Sequence, residues 1–238
     1  MVNNRSSGVL DSNKPLPHRC GDVHMSIRED SIEPLPRSFY ERGTVTVARA
    51  LLNKHLVRVN GPAVLIGRIV EVEAYGGRND PASHAYRGTT PRNLPMFGEP
   101  GHAYIYFTYG NHYCLNVTTQ PPGVAGAVLI RAVEPLKGLD MMKRLRPGVS
   151  ELQLTNGPGK LTKAFAIDRS LNEIDLTRRG NLFIGKTGSE PPFAVKRSPR
   201  IGITLGVERL WRFYIESNQY VSRNAFTSDN RRIHRQCQ

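Results

Sequence analysis

Apolar and polar positions follow regular periods along most of the chain after residue 36, and these periods predict a succession of strands and helices. Apolar residues at helical spacing predict a helix over 44–54, with Thr44 able to cap its first turn. Alternating and β-branched runs predict strands over 55–59, 64–75, 103–109, 113–119 and 127–133, with shorter strands over 182–185, 201–205 and 211–215. Helices are also predicted over 136–145 and 158–167. This order indicates a mixed α/β body around one sheet.

The first 35 residues show no such period. They are polar and interrupted by prolines, which is typical of a segment that cannot bury enough apolar surface to fold by itself. We therefore predict a disordered or loosely attached tail over 1–35 and a single domain over 36–238.

Composition adds a strong positive charge to this picture. The 238 residues include 33 Lys and Arg against 20 Asp and Glu, which gives a formal net charge of +13. Such a chain attracts polyanions, although excess charge also serves solubility.

No apolar run approaches the roughly 18 residues that a membrane helix needs, and no signal peptide is recognisable. Cys20, Cys114 and Cys237 are widely spaced, which indicates reduced thiols of an intracellular protein and no zinc site.

Acidic residues stand on one face of the strand predicted over 64–75. Because side chains alternate along a strand, Glu71, Glu73 and Tyr75 point together to one side. The side chains expected on the opposite, core-facing side are those of Ile66, Val70, Val72 and Ala74. Charges at every second position most often form a solvated face. Arg131 lies in an otherwise apolar strand and needs a partner, for which Glu73 is the natural candidate.

A tyrosine-rich hairpin follows over 104–113. Tyr104 and Tyr106 share one face of its first strand, while Tyr109 lies on the other face beside the Gly110–Asn111 turn. Tyrosines are good strand formers, so an ordinary hairpin is one interpretation. A large ring at a hairpin tip is also well placed as a wedge between base steps of a duplex. Carboxylates beside stacking aromatics on a basic chain indicate an enzyme that handles a nucleobase.

Two other functions fit parts of this pattern. An inverting carbohydrate hydrolase could use Glu71 and Glu73, which would lie roughly 6.6–7 Å apart on one strand. A non-catalytic minor-groove binder would use Tyr109 and the basic charge but would not need Glu73 beside Arg131.

The ordered set of motifs resembles the alkyladenine (3-methyladenine or methylpurine) DNA glycosylases over roughly residues 36–222. The matching motifs are Glu71–Tyr75, His84, Thr90–Asn93, Met96–Phe97, the hairpin over 104–113, Asn116, Leu129–Pro135, Gly157–Leu161 and Arg212–Tyr214. The resemblance implies a single domain of mixed α/β (α+β) type, with a curved, mainly antiparallel sheet, surrounding helices and a protruding β-hairpin. It also implies a monomer without metal or cofactor.

The resemblance implies a base-excision repair enzyme whose partner is double-stranded DNA containing damaged purines. Such an enzyme flips alkylated and some deaminated purines out of the duplex, hydrolyses the N-glycosidic bond and leaves an abasic site. We expect no strand cleavage, because no lysine stands out as a Schiff-base amine. The expected location is with genomic DNA, in the cytoplasm of a bacterium or the nucleus of a eukaryote.

The resemblance assigns the reaction to two side chains. Glu73 matches the general base that activates the attacking water, and Arg131 matches the arginine that helps to hold that water. The backbone carbonyl of Val133 is a further expected contact of the water.

The resemblance assigns the base pocket and the wedge to five more residues. Tyr75, His84 and Tyr106 match the groups that sandwich the flipped base, and Asn116 matches the side chain that discriminates against guanine. Tyr109 matches the residue that intercalates where the base has left.

Phosphate contacts are expected from the Lys and Arg residues at positions 196, 197, 200, 209, 212, 223, 231, 232 and 235.

Overall fold

The computed structural model of the protein describes residues 27–108, 110–188 and 190–222. Within these residues the strands are β1 Glu33–Pro34, β2 His55–Asn60, β3 Ala63–Tyr75, β4 Ala103–Thr108, β5 His112–Thr118, β6 Ala127–Lys137, β7 Leu182–Lys186, β8 Val195–Ser198 and β9 Arg212–Ile215. The α-helices are α1 Arg37–Tyr40, α2 Thr44–Leu51, α3 Leu139–Leu145 and α4 Pro158–Ala164. Short 3₁₀ helices span Glu29–Ser31, Leu94–Phe97, Glu151–Gln153 and Arg169–Leu171.

The nine strands of the described residues form one curled, antiparallel sheet in a single domain. Its order is β1-β7-β2-β3-β6-β5-β4, and β9 pairs with both β3 and β8 outside this path. The predicted mixed α/β fold on a mainly antiparallel sheet is confirmed. Because sequential strands mostly pair as hairpins, short turns such as Asn60–Gly61 set the register, with Gly61 at a φ of +58°.

Strand β3 is the centre of the site that follows. Its residues Val72–Tyr75 pair with β6, while Glu71–Glu73 pair with β9. The pairing with β6 shifts register between Ile69 and Val72. A shift of one residue moves side chains to the other face. Ile66 consequently packs in a separate cluster from Val70, Val72 and Ala74, which corrects the expectation that all four share one face.

Helix α2 covers the core side of β3. Its buried residues, Thr44, Val47, Ala48 and Leu51, recur at the spacing of one helix face. The expectation that Thr44 caps this helix is wrong, because Gly43 holds the cap position and the Thr44 hydroxyl hydrogen-bonds to the Thr119 hydroxyl at 2.9 Å. The buried hydroxyl pair fixes the start of the helix against the residue that follows β5.

Three other predicted elements differ from the structure. Residues 201–205 form turns and not a strand. Residues 136 and 137 continue β6, so the helix begins only at Leu139. Residues 27–35 lie on the body, with Ile32 fully buried and Glu33–Pro34 paired with β7, so packing begins before residue 36.

The β4–β5 hairpin joins Ala103–Thr108 to His112–Thr118 in regular antiparallel register. Tyr109, the predicted intercalating residue, lies outside the described residues, as do residues 1–26 and 223–238. Among the helices that the structure does describe, none has the length and apolar character required to cross a membrane.

Candidate active site

A cavity of about 360 Å³ opens between the β4–β5 hairpin, strand β6 and the segment after β8. Its volume falls in the range of roughly 300–1,000 Å³ that is usual for small-molecule sites. The predicted pocket residues Tyr75, His84, Tyr106, Asn116 and Arg131 all line it. Its wall also includes Ala82, Met96, Tyr104, Thr108, Cys114, Ala127, Leu129, Pro158, Ile201, Gly202 and Ile203.

Glu73 lies beneath this wall with its side chain fully buried. Its Oε2 accepts hydrogen bonds from the Tyr75 hydroxyl at 2.8 Å and from Arg131 Nη1 at 3.2 Å. Its Oε1 accepts from the backbone amide of Ile201 at 2.7 Å. Three donors from different elements thus fix the carboxylate beside residues that line the cavity. Among the described residues Oε1 has this one donor, which leaves it able to accept a further hydrogen bond.

Arg131 links Glu73 to a second buried carboxylate. Its Nε donates to Glu71 Oε1 at 2.9 Å, while its Nη1 donates to Glu73. Burial alone lowers the pKa of Arg131, but the charges of Glu73 and Glu71 raise the pKa above its ordinary value. Arg131 is therefore the partner of Glu73 that its apolar strand required, and it remains a cation.

Glu71 has a different environment from Glu73. Its side chain is fully buried and accepts hydrogen bonds from Arg131, from Arg212 Nε at 2.7 Å, and from the amide and hydroxyl of Ser222 at 2.6 and 2.7 Å. Neither carboxylate is among the residues that line the cavity, but all three donors to Glu73 line it, whereas Arg131 is the only donor to Glu71 among the described residues that does. Glu71 therefore supports the arginines and the segment after β9, and it is not placed as a second acid or base.

Aromatic rings form the sides of the cavity. The His84 and Tyr106 rings meet edge to face with centroids 4.7 Å apart, and His84 Nδ1 lies 2.9 Å from the Tyr104 hydroxyl. Desolvation and the nearby charge of Arg92 lower the pKa of His84. Burial raises the pKa of Tyr75 and Tyr106, so both phenols are neutral. These aromatic side chains are thus uncharged, in contrast to Arg131, and suit a flat ligand.

The Thr90–Asn93 motif holds the cavity rim. The buried Asn93 side-chain amide donates to the carbonyl oxygens of His84 at 2.7 Å and Gly88 at 2.9 Å. The guanidinium of Arg92 lies 5.1 Å from the centre of the Tyr106 ring. The motif therefore places His84 and covers Tyr106.

Asn116 and Cys114 complete the floor on strand β5. The Asn116 side-chain amide donates to the Tyr104 carbonyl oxygen at 3.0 Å, which fixes its orientation toward the cavity. Cys114 is a buried free thiol whose pKa is raised by burial. Cys20 and Cys237 lie outside the described residues.

The structure adds two details around the predicted site. Val133 is not among the residues that line the cavity, and its carbonyl oxygen accepts from the Thr155 hydroxyl at 2.6 Å; its contact with the attacking water stays a prediction. The segment Ile201–Ile203 lines the cavity and supplies an amide to Glu73. Sequence reasoning missed this segment because its apolar alternation was interpreted as a strand.

The basic residues expected to contact phosphate differ in how far their side chains are exposed to solvent. Arg200 and Arg212 are buried and paired with carboxylates, so they cannot reach a DNA backbone. Lys196 and Arg197 are exposed on β8. Arg209 is partly exposed, and the basic residues from 223 onward lie outside the described residues.

Comparison with known proteins gives one consistent result. The family model of methylpurine-DNA glycosylases matches residues 38–219. A protein of Carboxydothermus hydrogenoformans, provisionally named a 3-methyladenine DNA glycosylase, is 54% identical over 189 residues that cover 79% of this chain and 98% of the relative. Relatives with the same provisional name from Burkholderia lata and Methanoculleus marisnigri are each 48% identical, covering 79% of this chain and 90% and 98% of their own lengths. The chain therefore belongs to the methylpurine-DNA glycosylase family and is a hydrolase of the DNA-3-methyladenine glycosylase class.

Proposed function

We propose that the protein extrudes an alkylated purine from duplex DNA into the cavity and hydrolyses its bond to deoxyribose with a water activated by Glu73. The observation that carries this proposal is the fixed, buried carboxylate of Glu73 behind a cavity lined by Tyr75, Tyr106 and Arg131. A base in a duplex is stacked and paired, so its glycosidic bond is accessible only after the nucleotide leaves the stack.

One carboxylate is sufficient for this reaction. A purine alkylated on a ring nitrogen is cationic and leaves without the help of an acid. The enzyme then has to deprotonate a water and stabilise positive charge on the sugar, and a single anion can do both. Glu73 Oε1 can accept the additional hydrogen bond from that water, and Arg131 keeps the carboxylate in position.

The base would lie between the aromatic sides of the cavity. Tyr75, Tyr106 and His84 all line the cavity, and we propose that Tyr75 stacks on one face of the base with Tyr106 and His84 on the other. Stacking on these rings favours electron-poor, cationic bases. The Asn116 side chain on the floor would crowd the exocyclic amine of guanine. We propose Tyr109 as the wedge that fills the space left in the duplex, since it directly follows Thr108, the last residue of β4, in the sequence.

Deaminated purines are proposed as weaker substrates. A neutral base needs a proton as it leaves, and the cavity wall offers poor acids. The pKa of Tyr75 and Tyr106 is raised by burial, and the pKa of His84 is lowered. Base release from hypoxanthine should therefore be slower than release of 3-methyladenine.

The test of the reaction is the variant Glu73→Gln with duplex DNA that carries methylated purines. Chromatography of the free base should show release by the parent protein and a loss of at least a hundredfold in the variant, because the general base is gone while the side-chain shape is kept. Binding of damaged duplex should persist. Glu134→Gln is the matched control, since Glu134 lies on β6 outside the cavity and pairs with Arg68. Parental release by Glu73→Gln would disprove the catalytic assignment. The product strand should stay intact until it is treated with alkali.

The test of the wedge is Tyr109→Ser, measured as affinity for a duplex that contains an abasic analogue. We expect roughly tenfold weaker binding, since base–aromatic stacking is worth about 1–3 kcal/mol. Tyr220→Ser serves as control, because this partly buried tyrosine packs outside the cavity. Equal affinity of parent and Tyr109→Ser would refute the wedge.

A further inference from the structure

A buried ion pair lies directly behind Tyr75. Arg200 Nη1 donates to Asp80 Oδ2 at 2.6 Å, and Nη2 donates to Asp80 Oδ1 at 2.8 Å, with both side chains fully buried. Arg200 Nη1 also donates to the Ala74 carbonyl oxygen at 3.0 Å. The pair is bidentate and tied to the backbone of β3, so it has a single arrangement.

The guanidinium of Arg200 is stacked between two aromatic rings. Its central carbon lies 4.8 Å from the centre of the Tyr75 ring and 5.2 Å from that of the Trp211 ring. Tyr75 lines the cavity, whereas Arg200, Asp80 and Trp211 do not. The cation therefore contacts Tyr75 from outside the cavity wall.

A cation in this position opposes the binding of a second cation. The π-electrons of the ring attract cations at both faces, so a guanidinium on one face weakens the attraction of the ring for a cationic base on the other. A base stacked roughly 3.5 Å in front of Tyr75 would lie about 8 Å from Arg200. At an effective dielectric constant of about 20, two such charges weaken binding by about thirtyfold. Arg200 alone would thus penalise the cationic lesions that this family releases.

Asp80 removes most of this penalty. Its carboxylate is bound to both terminal nitrogens of Arg200 and also accepts from the backbone amides of Gly76 at 2.9 Å and Ala82 at 3.3 Å. Burial alone raises the pKa of Asp80, but the hydrogen bonds from Arg200 and Gly76 lower it below its ordinary value. The group behind Tyr75 is therefore a neutral pair and not a bare cation.

We propose that Asp80 is a specificity-determining residue, which neutralises Arg200 so that the open face of Tyr75 accepts a positively charged base. This inference rests on the proposed function, since it requires the extruded base to stack on Tyr75. Arg200 positions the Tyr75 ring and the neighbouring Ile201 amide that donates to Glu73. Asp80 sets the charge that the base meets, without contact with the base.

The test uses two duplexes that differ only in the charge of one base. One contains 7-methylguanine on a 2′-fluoroarabinose sugar, a cationic lesion with a stabilised glycosidic bond. The other contains the neutral carbon isostere 7-methyl-7-deazaguanine on the same sugar. The ratio of the two dissociation constants is measured for the parent and for Asp80→Asn, with thermal unfolding to confirm that each variant is folded. We expect the preference for the cationic duplex to fall about ten- to thirtyfold in Asp80→Asn.

Further variants separate charge from structural damage. Arg200→Gln leaves the carboxylate behind the ring, so the preference for the cationic duplex should rise above that of the parent. The double variant Asp80→Asn/Arg200→Gln should return to the parental ratio. If Asp80→Asn does not fold, the double variant must still show a lower preference than Arg200→Gln alone. A purely structural role would change both affinities together and leave the ratio unaltered.

The outcomes distinguish the two proposals. A parent that prefers the cationic duplex, together with an unchanged ratio in Asp80→Asn, overturns the role of Asp80 and leaves the proposed function intact. A parent that binds both duplexes equally overturns selection by stacking on Tyr75, and the role of Asp80 with it.

Discussion

The most informative perturbation is Glu71→Gln, because it makes the same chemical change as Glu73→Gln two residues away on the same strand. Glu71 neutralises two buried guanidiniums, those of Arg131 and Arg212, and accepts two hydrogen bonds from Ser222. The glutamine amide would remove the charge and present a donor to side chains that are themselves donors. We expect Glu71→Gln to damage stability and Glu73→Gln to damage the chemical step.

The magnitude follows from the burial of the cluster. Both carboxylates are fully buried, and the Arg131 and Arg212 side chains are 8% and 5% exposed. Breaking one partner of a buried ion pair costs about 3–5 kcal/mol, because the remaining charge stays buried and unpaired. For a domain of this size, that loss corresponds to a fall in Tm of roughly 6–20 °C.

The assay compares urea unfolding with single-turnover base release for both variants at a temperature where each is folded. Glu71→Gln should keep base release within about tenfold of the parent, since Glu73 still receives donors from Tyr75 and Ile201. The reasoning would be refuted if Glu71→Gln unfolded with the parental free energy. It would also be refuted if the folded variant lost base release as completely as Glu73→Gln.

Two further predictions concern stability. His55 is buried and desolvation lowers its pKa, only partly opposed by Glu190, so the unfolded chain binds a proton that the folded chain does not as pH falls through about 6.5. The free energy of unfolding should therefore decrease from pH 7.5 to 5.5 and decrease less in His55→Gln; equal slopes would contradict this. Gly138→Ala should cost about 2–6 kcal/mol, because φ is +83° and a Cβ would lie 2.3 Å from Leu65 Cδ2. Gly148→Ala, with a φ of +75° and open space around it, should cost only about 1–2 kcal/mol, and equal losses would refute the clash.

The elements that sequence patterns predicted best are those whose period is set by burial on one face. Strand β2, strand β3 and helix α2 were found within a few residues of their predicted bounds. The bulge in β3 could not be predicted, because it depends on pairing with both β6 and β9 at Glu71–Glu73. Residues 201–205 alternate like a strand but are held by contacts of Arg200 and Ile201 with distant residues.

The sequence motifs predicted most of the functional residues that line the cavity. They did not predict most of the hydrogen-bond and ion-pair partners of those residues. Sequence reasoning placed Glu73 beside Arg131 because a cation in an apolar strand requires an anion. It gave no sign that Arg131 also binds Glu71, or that Asp80 and Arg200 pair across 120 residues. Such contacts join segments that are far apart in sequence, and their residues look individually like ordinary surface charges.

The same contacts decide between the alternatives for the paired glutamates. An inverting hydrolase needs both carboxylates to face one substrate, one as acid and one as base. Here Glu71 accepts from Arg131, Arg212 and Ser222, of which only Arg131 lines the cavity. All three donors to Glu73 among the described residues line it. A site with one carboxylate and no positioned acid among its described residues suits leaving groups that already carry a positive charge. The alkylated purines that we propose as substrates are such groups, and the proposed neutralisation of Arg200 by Asp80 favours the binding of the same class of base.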